Sequence, residues 1–165
     1  MSIPHKVHSP AFLALAEAAK ARVVEVDMAA YQKMPPGEHL LVDVREDHEW
    51  ADGHAEGAVH MSRGIIERDI EIRVPDKSST MVLYCGGGFR SALAADSAQK
   101  MGYTDVWSLA GGWRAWNEAG MPVEKFLDDA TLSGIEARTR KAGGEVVGLI
   151  GVSAFWSPAI AAIEM

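Results

Sequence analysis

The chain has 165 residues, of which 48% are hydrophobic and 24% are charged, and this composition fits one globular domain with terminal extensions and excludes disorder over most of the chain. Sixteen basic and 23 acidic residues give a net charge of −7, and no basic cluster is present, so we expect no nucleic-acid partner. The one cysteine, Cys85, excludes an internal disulfide and any multi-cysteine metal site within a single chain.

The N-terminal segment predicts a short helix and no secretory signal. Ser9 suits the N-cap position, and Pro10 suits the first helical position. The apolar stripe that follows consists of Phe12, Leu15, Ala16 and Ala19. Residues 1–22 are therefore predicted to be a helical extension that packs on the outside of the main domain. Because the first ten residues contain no uninterrupted apolar stretch, we expect a cytoplasmic protein.

Between residues 23 and 125, short apolar runs alternate with helical patterns, which predicts an α/β domain with right-handed crossovers. The predicted strands are Val23–Val26, Leu40–Val44, Ala58–Met61, Thr80–Tyr84 and Asp105–Leu109. The predicted helices are Met28–Met34, Asp47–Asp52, Ile65–Ile72, Ser91–Met101 and Trp113–Ala119. Leu40–Val42 and Met81–Tyr84 are continuously apolar, as is typical of strands covered on both faces, so they favour a parallel sheet.

The last forty residues differ from the rest and are predicted to be a C-terminal extension, 126–165. Leu127–Lys141 is polar and has a helical pattern, whereas Val146–Ile163 contains no charged residue. This uncharged window reaches only the minimum length of a transmembrane helix, and its glycine, serine and proline content argues against a membrane anchor. We expect the tail to fold onto the domain or onto a second subunit, in a monomer or a homodimer.

The segment Cys85–Ser91, with sequence Cys-Gly-Gly-Gly-Phe-Arg-Ser, joins a predicted buried strand to a predicted alanine-rich helix. Ligands bind at such turns in α/β sheets, because the helix N-terminus offers unpaired amides. Three glycines lack the Cβ atoms that would prevent several N–H groups from converging on the sulfur, and such an arrangement favours the thiolate. The same pattern also fits a buried thiol followed by a simple glycine turn. It does not fit a Walker phosphate loop, and the chain has no Gly-x-Ser-x-Gly motif.

Five segments, in this order, resemble a rhodanese (sulfurtransferase) domain, and the resemblance covers about residues 23–124. They are Leu41–Arg45, Glu49, Gly53–His60, Val82–Arg90 and Leu109–Trp113. The resemblance implies a five-stranded parallel sheet with helices on both faces. It also implies that the cysteine accepts a sulfane sulfur, becomes a persulfide and passes that sulfur to a nucleophile.

The resemblance also assigns roles to individual residues. Cys85 takes the catalytic position, and the active-site loop that cradles the sulfur consists of Gly86, Gly87, Gly88, Phe89 and Arg90. In this family a loop with four residues between the cysteine and the arginine suits sulfur transfer, whereas the related phosphatases and arsenate reductases have five. The present loop has four. Many family loops carry more than one basic or hydroxyl residue, but here Arg90 is the only charge, so strong thiosulfate turnover is not implied.

The other candidates receive mainly structural predictions. In the family, the pair that corresponds to Asp43 and Arg45 mostly ties loops together. His48, His54 and His60 are spaced six residues apart and share no helix face, so no metal site is predicted. Trp113 is predicted to lie in or near the core, or to line the pocket beside the cysteine. Trp107, Trp116 and Trp156 are predicted to be packing residues.

The sequence therefore predicts a sulfurtransferase without a cofactor. Thiosulfate or a similar compound would donate the sulfur, and cyanide or a thiol would accept it. Since the chain has no second cysteine, the sulfur must leave to an external nucleophile. Two alternatives remain: a persulfide carrier that serves a protein partner, and a regulatory module of the same fold that acts by binding.

Overall fold

Five short strands form a parallel sheet in the computed structural model, which describes residues 8–125 and 138–139. The strands of this sheet are β1 (Val24–Val26), β2 (Leu40–Asp43), β4 (Val59–His60), β5 (Met81–Tyr84) and β6 (Val106–Leu109). Their order is β1-β6-β5-β2-β4, so β5 lies at the centre. All five predicted strands are present, and each lies within its predicted bounds.

A small antiparallel ribbon was not predicted. It pairs β3 (His54–Ala55) with β7 (Val123–Glu124), and its register places His54 opposite Glu124. Each strand has only two residues, which is too short to give an alternating pattern in the sequence. The ribbon fastens the end of the domain to the segment that precedes β4.

Within residues 8–125, six helices surround the sheet. They are α1 (Pro10–Lys20), α2 (Met28–Tyr31), α3 (Asp47–Ala51), α4 (Ile66–Arg73), α5 (Phe89–Lys100) and α6 (Gly112–Glu118). All were predicted, with end positions that differ by up to three residues. Helix α5 begins two residues earlier than predicted, because Gly88 adopts a left-handed conformation (φ +95°) and caps the helix from within the loop.

The central strand β5 shows why its sequence is continuously apolar. Met81, Leu83 and Cys85 face one core, which is shared with α4 and α5. Val82 and Tyr84 face the other core, where Tyr31 of α2 and Trp116 of α6 are buried. Helices therefore cover both faces of the sheet, as predicted, and Trp116 is a packing residue as expected.

The N-terminal helix packs against α5. Ser9 caps α1 by accepting a hydrogen bond from the N–H of Phe12 at 3.3 Å, and Ala16 and Ala19 are fully buried. Just after the helix, Arg22 forms a bidentate pair with Asp96 of α5, with N–O distances of 2.7 and 2.9 Å. Helix α1 thus covers the helix that carries the active-site loop at its start.

The chain divides into two compact units, Met1–Lys125 and Phe126–Met165. The predicted helix Leu127–Lys141, apart from residues 138–139, lies outside the described residues. The uncharged window Val146–Ile163 and Trp156 also lie outside them. Among the helices of the described part, none is long and apolar enough to cross a membrane.

Candidate active site

Cys85 lies immediately after the central strand, at the carboxyl edge of the parallel sheet. Its side chain is buried, with 1% of the residue exposed, and the thiol forms no disulfide. The N–H of Gly88 donates a hydrogen bond to Sγ at 3.2 Å, and the hydroxyl of Ser91 donates to the same atom at 3.6 Å. The loop therefore folds back towards Sγ, and two donors from the start of α5 point at that atom.

The hydroxyl of Ser91 has a second partner that the sequence did not reveal. Its Oγ lies 2.9 Å from Oγ of Ser108 on β6, and both residues are completely buried. Ser108 is 17 positions away, and the only signal in the sequence is a serine within an apolar strand. The buried pair fixes the position of the hydroxyl that reaches the sulfur.

The start of α6 holds the other side of the loop. The N–H of Trp113 donates to the carbonyl of Cys85 at 2.6 Å, and the N–H of Arg114 donates to the carbonyl of Gly86 at 3.2 Å. In a trans peptide group the C=O and the N–H point in opposite directions. Because the carbonyls of Cys85 and Gly86 point towards α6, the N–H groups of Gly86 and Gly87 in the same two peptide groups point away from it. The contact requires a glycine at position 112, where φ is +52° and a Cβ would collide with the carbonyl of Cys85. This explains the Gly-Gly-Trp motif.

The active-site loop has open space beside its middle glycine, Gly87. A Cβ placed on Gly87 would meet no atom within 4 Å, whereas one on Gly88 would lie 3.2 Å from the N atom of Gly111. Gly86 and Gly87 are partly exposed, although the thiol beneath them is buried. The structure therefore has open space beside the backbone of Gly87, next to the buried thiol.

Arg90 is tied to α3 by two carboxylates. Its guanidinium forms a bidentate pair with Glu49, at 2.6 and 2.8 Å, and lies 3.4 Å from a carboxylate oxygen of Glu46. Hydrogen bonding to Arg90 lowers the pKa of Glu49 to about 2, and the same bond raises the pKa of Arg90. The side chains of Arg90 and Glu49 are each 28% exposed. The pair is 41 residues apart in sequence, and sequence reasoning identified Glu49 only as part of a family motif.

Asp43 and Arg45 form a second pair, which is fully buried. Their side chains are 0% and 3% exposed, and the guanidinium donates to the carboxylate at 2.7 to 3.1 Å. Arg45 also donates to the carbonyl of Gly53 at 2.7 Å and lies 4.4 Å from the ring centre of Trp113. The pair connects the end of β2 to the turn before β3 and to the first turn of α6.

Tyr84, the residue before the cysteine, belongs to this buried side. Its hydroxyl accepts a hydrogen bond from the N–H of Ala55 at 3.0 Å, and its ring stacks with that of Trp113 at 6.3 Å. Burial, and then the negative charge of Asp43, raise the pKa of Tyr84. Tyr84 is therefore a neutral hydrogen-bonding partner, and it does not supply a proton acceptor to the site.

Phe89 turns the loop towards α1. Its ring lies 6.1 Å from that of Phe12 and 5.4 Å from that of His8, and the ammonium of Lys20 lies 4.9 Å above it. These contacts direct the Phe89 side chain to the covering helix. Phe89, which was predicted to belong to the active-site loop, is the first residue of α5, and its side chain packs against α1.

Two of the three histidines that were considered as metal ligands stack with the same tryptophan. His54 and His60 both stack with the indole of Trp50, with ring centres 3.4 and 4.9 Å from that of Trp50, while His48 is exposed on α3. Within residues 8–125 and 138–139, no group of three or more His, Cys, Asp or Glu side chains could hold a metal ion.

The comparisons with known proteins agree with the fold. The family model described as a Rhodanese-like domain matches residues 28–119. A curated protein of Schizosaccharomyces pombe, "Putative thiosulfate sulfurtransferase, mitochondrial", is 30% identical over 99 residues, which cover 52% of this chain and 70% of that protein. The matches to two other curated relatives span only 16% and 21% of those proteins.

Two solved structures are similar over most of their length. A protein of unknown function from Rhodopseudomonas palustris, described as a possible tyrosine phosphatase, is 31% identical with a TM-score of 0.62, and the match covers 74% of this chain and all of that one. The polysulfide-sulfur transferase homodimer of Wolinella succinogenes is 28% identical with a TM-score of 0.60, covering 72% and 90%. Since the family model matches more than half of the residues, this chain belongs to the rhodanese-like domain family, as its motifs indicated.

Proposed function

We propose that this chain is a sulfurtransferase that carries a sulfane sulfur as a persulfide on Cys85. The observation that carries this proposal is the position of Sγ, which accepts from the N–H of Gly88 at 3.2 Å inside a loop whose carbonyls are bound by α6. A thiolate held in this way is a nucleophile. In this proposal, a donor of sulfane sulfur reaches it from the open space beside Gly87.

The reaction takes two displacement steps. In the first, the Cys85 thiolate attacks the outer sulfur of the donor; a new S–S bond forms, the bond to the rest of the donor breaks, and the leaving group departs with the electron pair. In the second, cyanide or a thiolate attacks the terminal sulfur of the persulfide and releases the thiolate of Cys85. No oxidant or reductant is consumed.

The relatives support this class of reaction. The S. pombe protein is named for thiosulfate as donor, and the W. succinogenes protein is named for polysulfide. The two names differ in the donor and agree in the transfer of sulfur. We therefore propose sulfur transfer for this chain and treat the donor as a separate question.

The test is transfer from benzenethiosulfonate and from thiosulfate to cyanide, followed as thiocyanate. We expect double-displacement kinetics in the wild type and no transfer by Cys85→Ser, since a serine alkoxide is not accessible near neutral pH. Urea unfolding of the variant checks that it is folded. Transfer that survives in Cys85→Ser would overturn the proposal.

The same assay separates the alternatives. A persulfide carrier would take up one sulfur per chain from a donor but turn over slowly with small acceptors. A regulatory module would take up none. The resemblance to a possible tyrosine phosphatase adds a fourth outcome, hydrolysis of an aryl phosphate. We expect none, because four residues between Cys85 and Arg90 enclose a smaller space than five, and the cradle's size follows the number of amides around the anion.

A further inference from the structure

The only charged side chain of the active-site loop is already paired. Three contacts join the guanidinium of Arg90 to carboxylate oxygens, two to Glu49 at 2.6 and 2.8 Å and one to Glu46 at 3.4 Å. A guanidinium has five N–H donors, so most of its hydrogen-bonding capacity is directed at α3. An incoming anion therefore meets a guanidinium whose charge is already compensated by carboxylates.

The summed charge of this group is negative. Arg90 contributes +1, and Glu46 and Glu49 contribute −1 each, so the three side chains together carry −1. The group lies beside the loop: a Cβ on Gly86 would be 3.3 Å from Nη2 of Arg90 and 3.9 Å from Oε1 of Glu49. A donor that approaches the residue after Cys85 thus meets a carboxylate as well as a guanidinium.

The repulsion that a donor experiences depends on its own charge. Thiosulfate is a dianion, whereas a thiosulfonate or a persulfide anion carries a single charge and offers the same kind of sulfane sulfur. A fixed negative charge at the same distance disfavours the dianion about twice as strongly in free energy. The pairing of Arg90 therefore discriminates between two donors that react by the same chemistry.

We propose that Glu49 is a specificity-determining residue that directs this site towards singly charged sulfane-sulfur donors, thiosulfonate or persulfide anions, and against thiosulfate. This inference rests on the proposed sulfurtransferase function. With a thiosulfonate, the Cys85 thiolate forms a bond to the sulfane sulfur and a sulfinate leaves with the electron pair; with a persulfide, a thiolate leaves. Specificity here comes from a repulsive group beside Gly86, next to the open position at Gly87.

The experiment measures kcat/KM for benzenethiosulfonate and for thiosulfate in the wild type and in Glu49→Gln. Glutamine keeps the oxygen that accepts the N–H of Glu46, at 3.1 Å in the wild type, so the cap of α3 is retained. Removing one negative charge should shift the ratio of the two kcat/KM values about tenfold towards thiosulfate. Comparing ratios cancels the intrinsic reactivity of each donor.

The matched control is Glu67→Gln. Glu67 also pairs with an arginine, Arg63, at 2.8 and 3.0 Å, but it lies on α4. The two variants change the net charge equally. We expect the control to leave the donor ratio within about twofold of the wild type. A shift of equal size in both variants would assign the effect to net charge and overturn the role of Glu49.

A measurement on the wild type alone gives a second test. Salt screens repulsion between like charges, so raising the ionic strength should increase kcat/KM for thiosulfate more than for benzenethiosulfonate. A decrease with thiosulfate, or an unchanged donor ratio in Glu49→Gln, would overturn the inference while the sulfurtransferase function stands. Absence of Cys85-dependent transfer from both donors would instead overturn the proposed function, and this inference with it.

Discussion

The two sides of the active-site loop are each built around an arginine paired with a carboxylate, yet the pairs have different environments. On one side, Asp43 and Arg45 are 0% and 3% exposed and contact the start of α6. On the other, Glu49 and Arg90 are each 28% exposed and join the loop to α3. The Asp43–Arg45 pair is desolvated, whereas the Glu49–Arg90 pair keeps part of its hydration. We infer that the buried side fixes the loop, whereas the half-exposed side can vary in charge without unfolding the domain.

The largest expected effect tests the buried side. Asp43→Asn removes the charge that compensates Arg45 and leaves a buried guanidinium facing an amide. Breaking a buried pair in this way costs about 3 to 5 kcal/mol, because the remaining charge stays desolvated. Urea unfolding should show this loss.

The matched variant on the other side is Glu49→Gln. Its loss in the free energy of unfolding should be about 1 kcal/mol or less, as for other ion pairs that keep part of their hydration. Equal losses in the two variants would show that exposure does not separate the two sides.

The second prediction compares Gly112, which lies against the carbonyl of Cys85, with Gly87, which has open space beside it. At position 112, φ is +52° and a Cβ would collide with the carbonyl of Cys85, so Gly112→Ala must displace the loop. We expect a loss of about 2 kcal/mol or more in the free energy of unfolding, together with a drop in sulfur transfer. Unfolding curves and thiocyanate formation measure the two effects.

The control for that variant is Gly87→Ala. Position 87 has an ordinary φ, and a Cβ there would meet nothing within 4 Å. The free energy of unfolding should change by about 0.5 kcal/mol or less. If Gly87→Ala destabilised the protein as much as Gly112→Ala, then the contact between α6 and the carbonyls would not be what holds the loop.

The last prediction concerns the acid dependence of the half-exposed side. The pKa of Glu49 falls from 4.5 to about 2 on folding because Arg90 donates to it. A lowered pKa contributes stability that is complete above pH 4.5 and is lost as the pH falls towards 2. The wild type should therefore lose about 1 kcal/mol more than Glu49→Gln across that range. Identical pH profiles for the two proteins would contradict the pairing.

The sequence predicted the sheet well because its signals are local. The apolar runs at Leu40–Val42 and Met81–Tyr84 each fill both faces of a strand, and Gly88 and Gly112 mark the points where the backbone turns. Cys85 and its loop are contiguous, so one window of sequence contains the candidate nucleophile and the amide that reaches it.

The partners of that loop could not be predicted in the same way. Glu49 meets Arg90 across 41 positions, and Ser91 meets Ser108 across 17, and no periodicity records such a pairing. The ribbon of β3 and β7 was missed because each strand has two residues and is defined by its partner. These features depend on tertiary packing, so a local pattern does not contain them.

The central claim is that Cys85 carries a sulfane sulfur. Its most direct test is the intact mass of the full chain after exposure to benzenethiosulfonate and then to cyanide. The account predicts that the wild type gains the mass of one sulfur atom and that cyanide removes it, while Cys85→Ser gains nothing. A wild-type chain that takes up no sulfur, or a Cys85→Ser chain that does, would contradict the account.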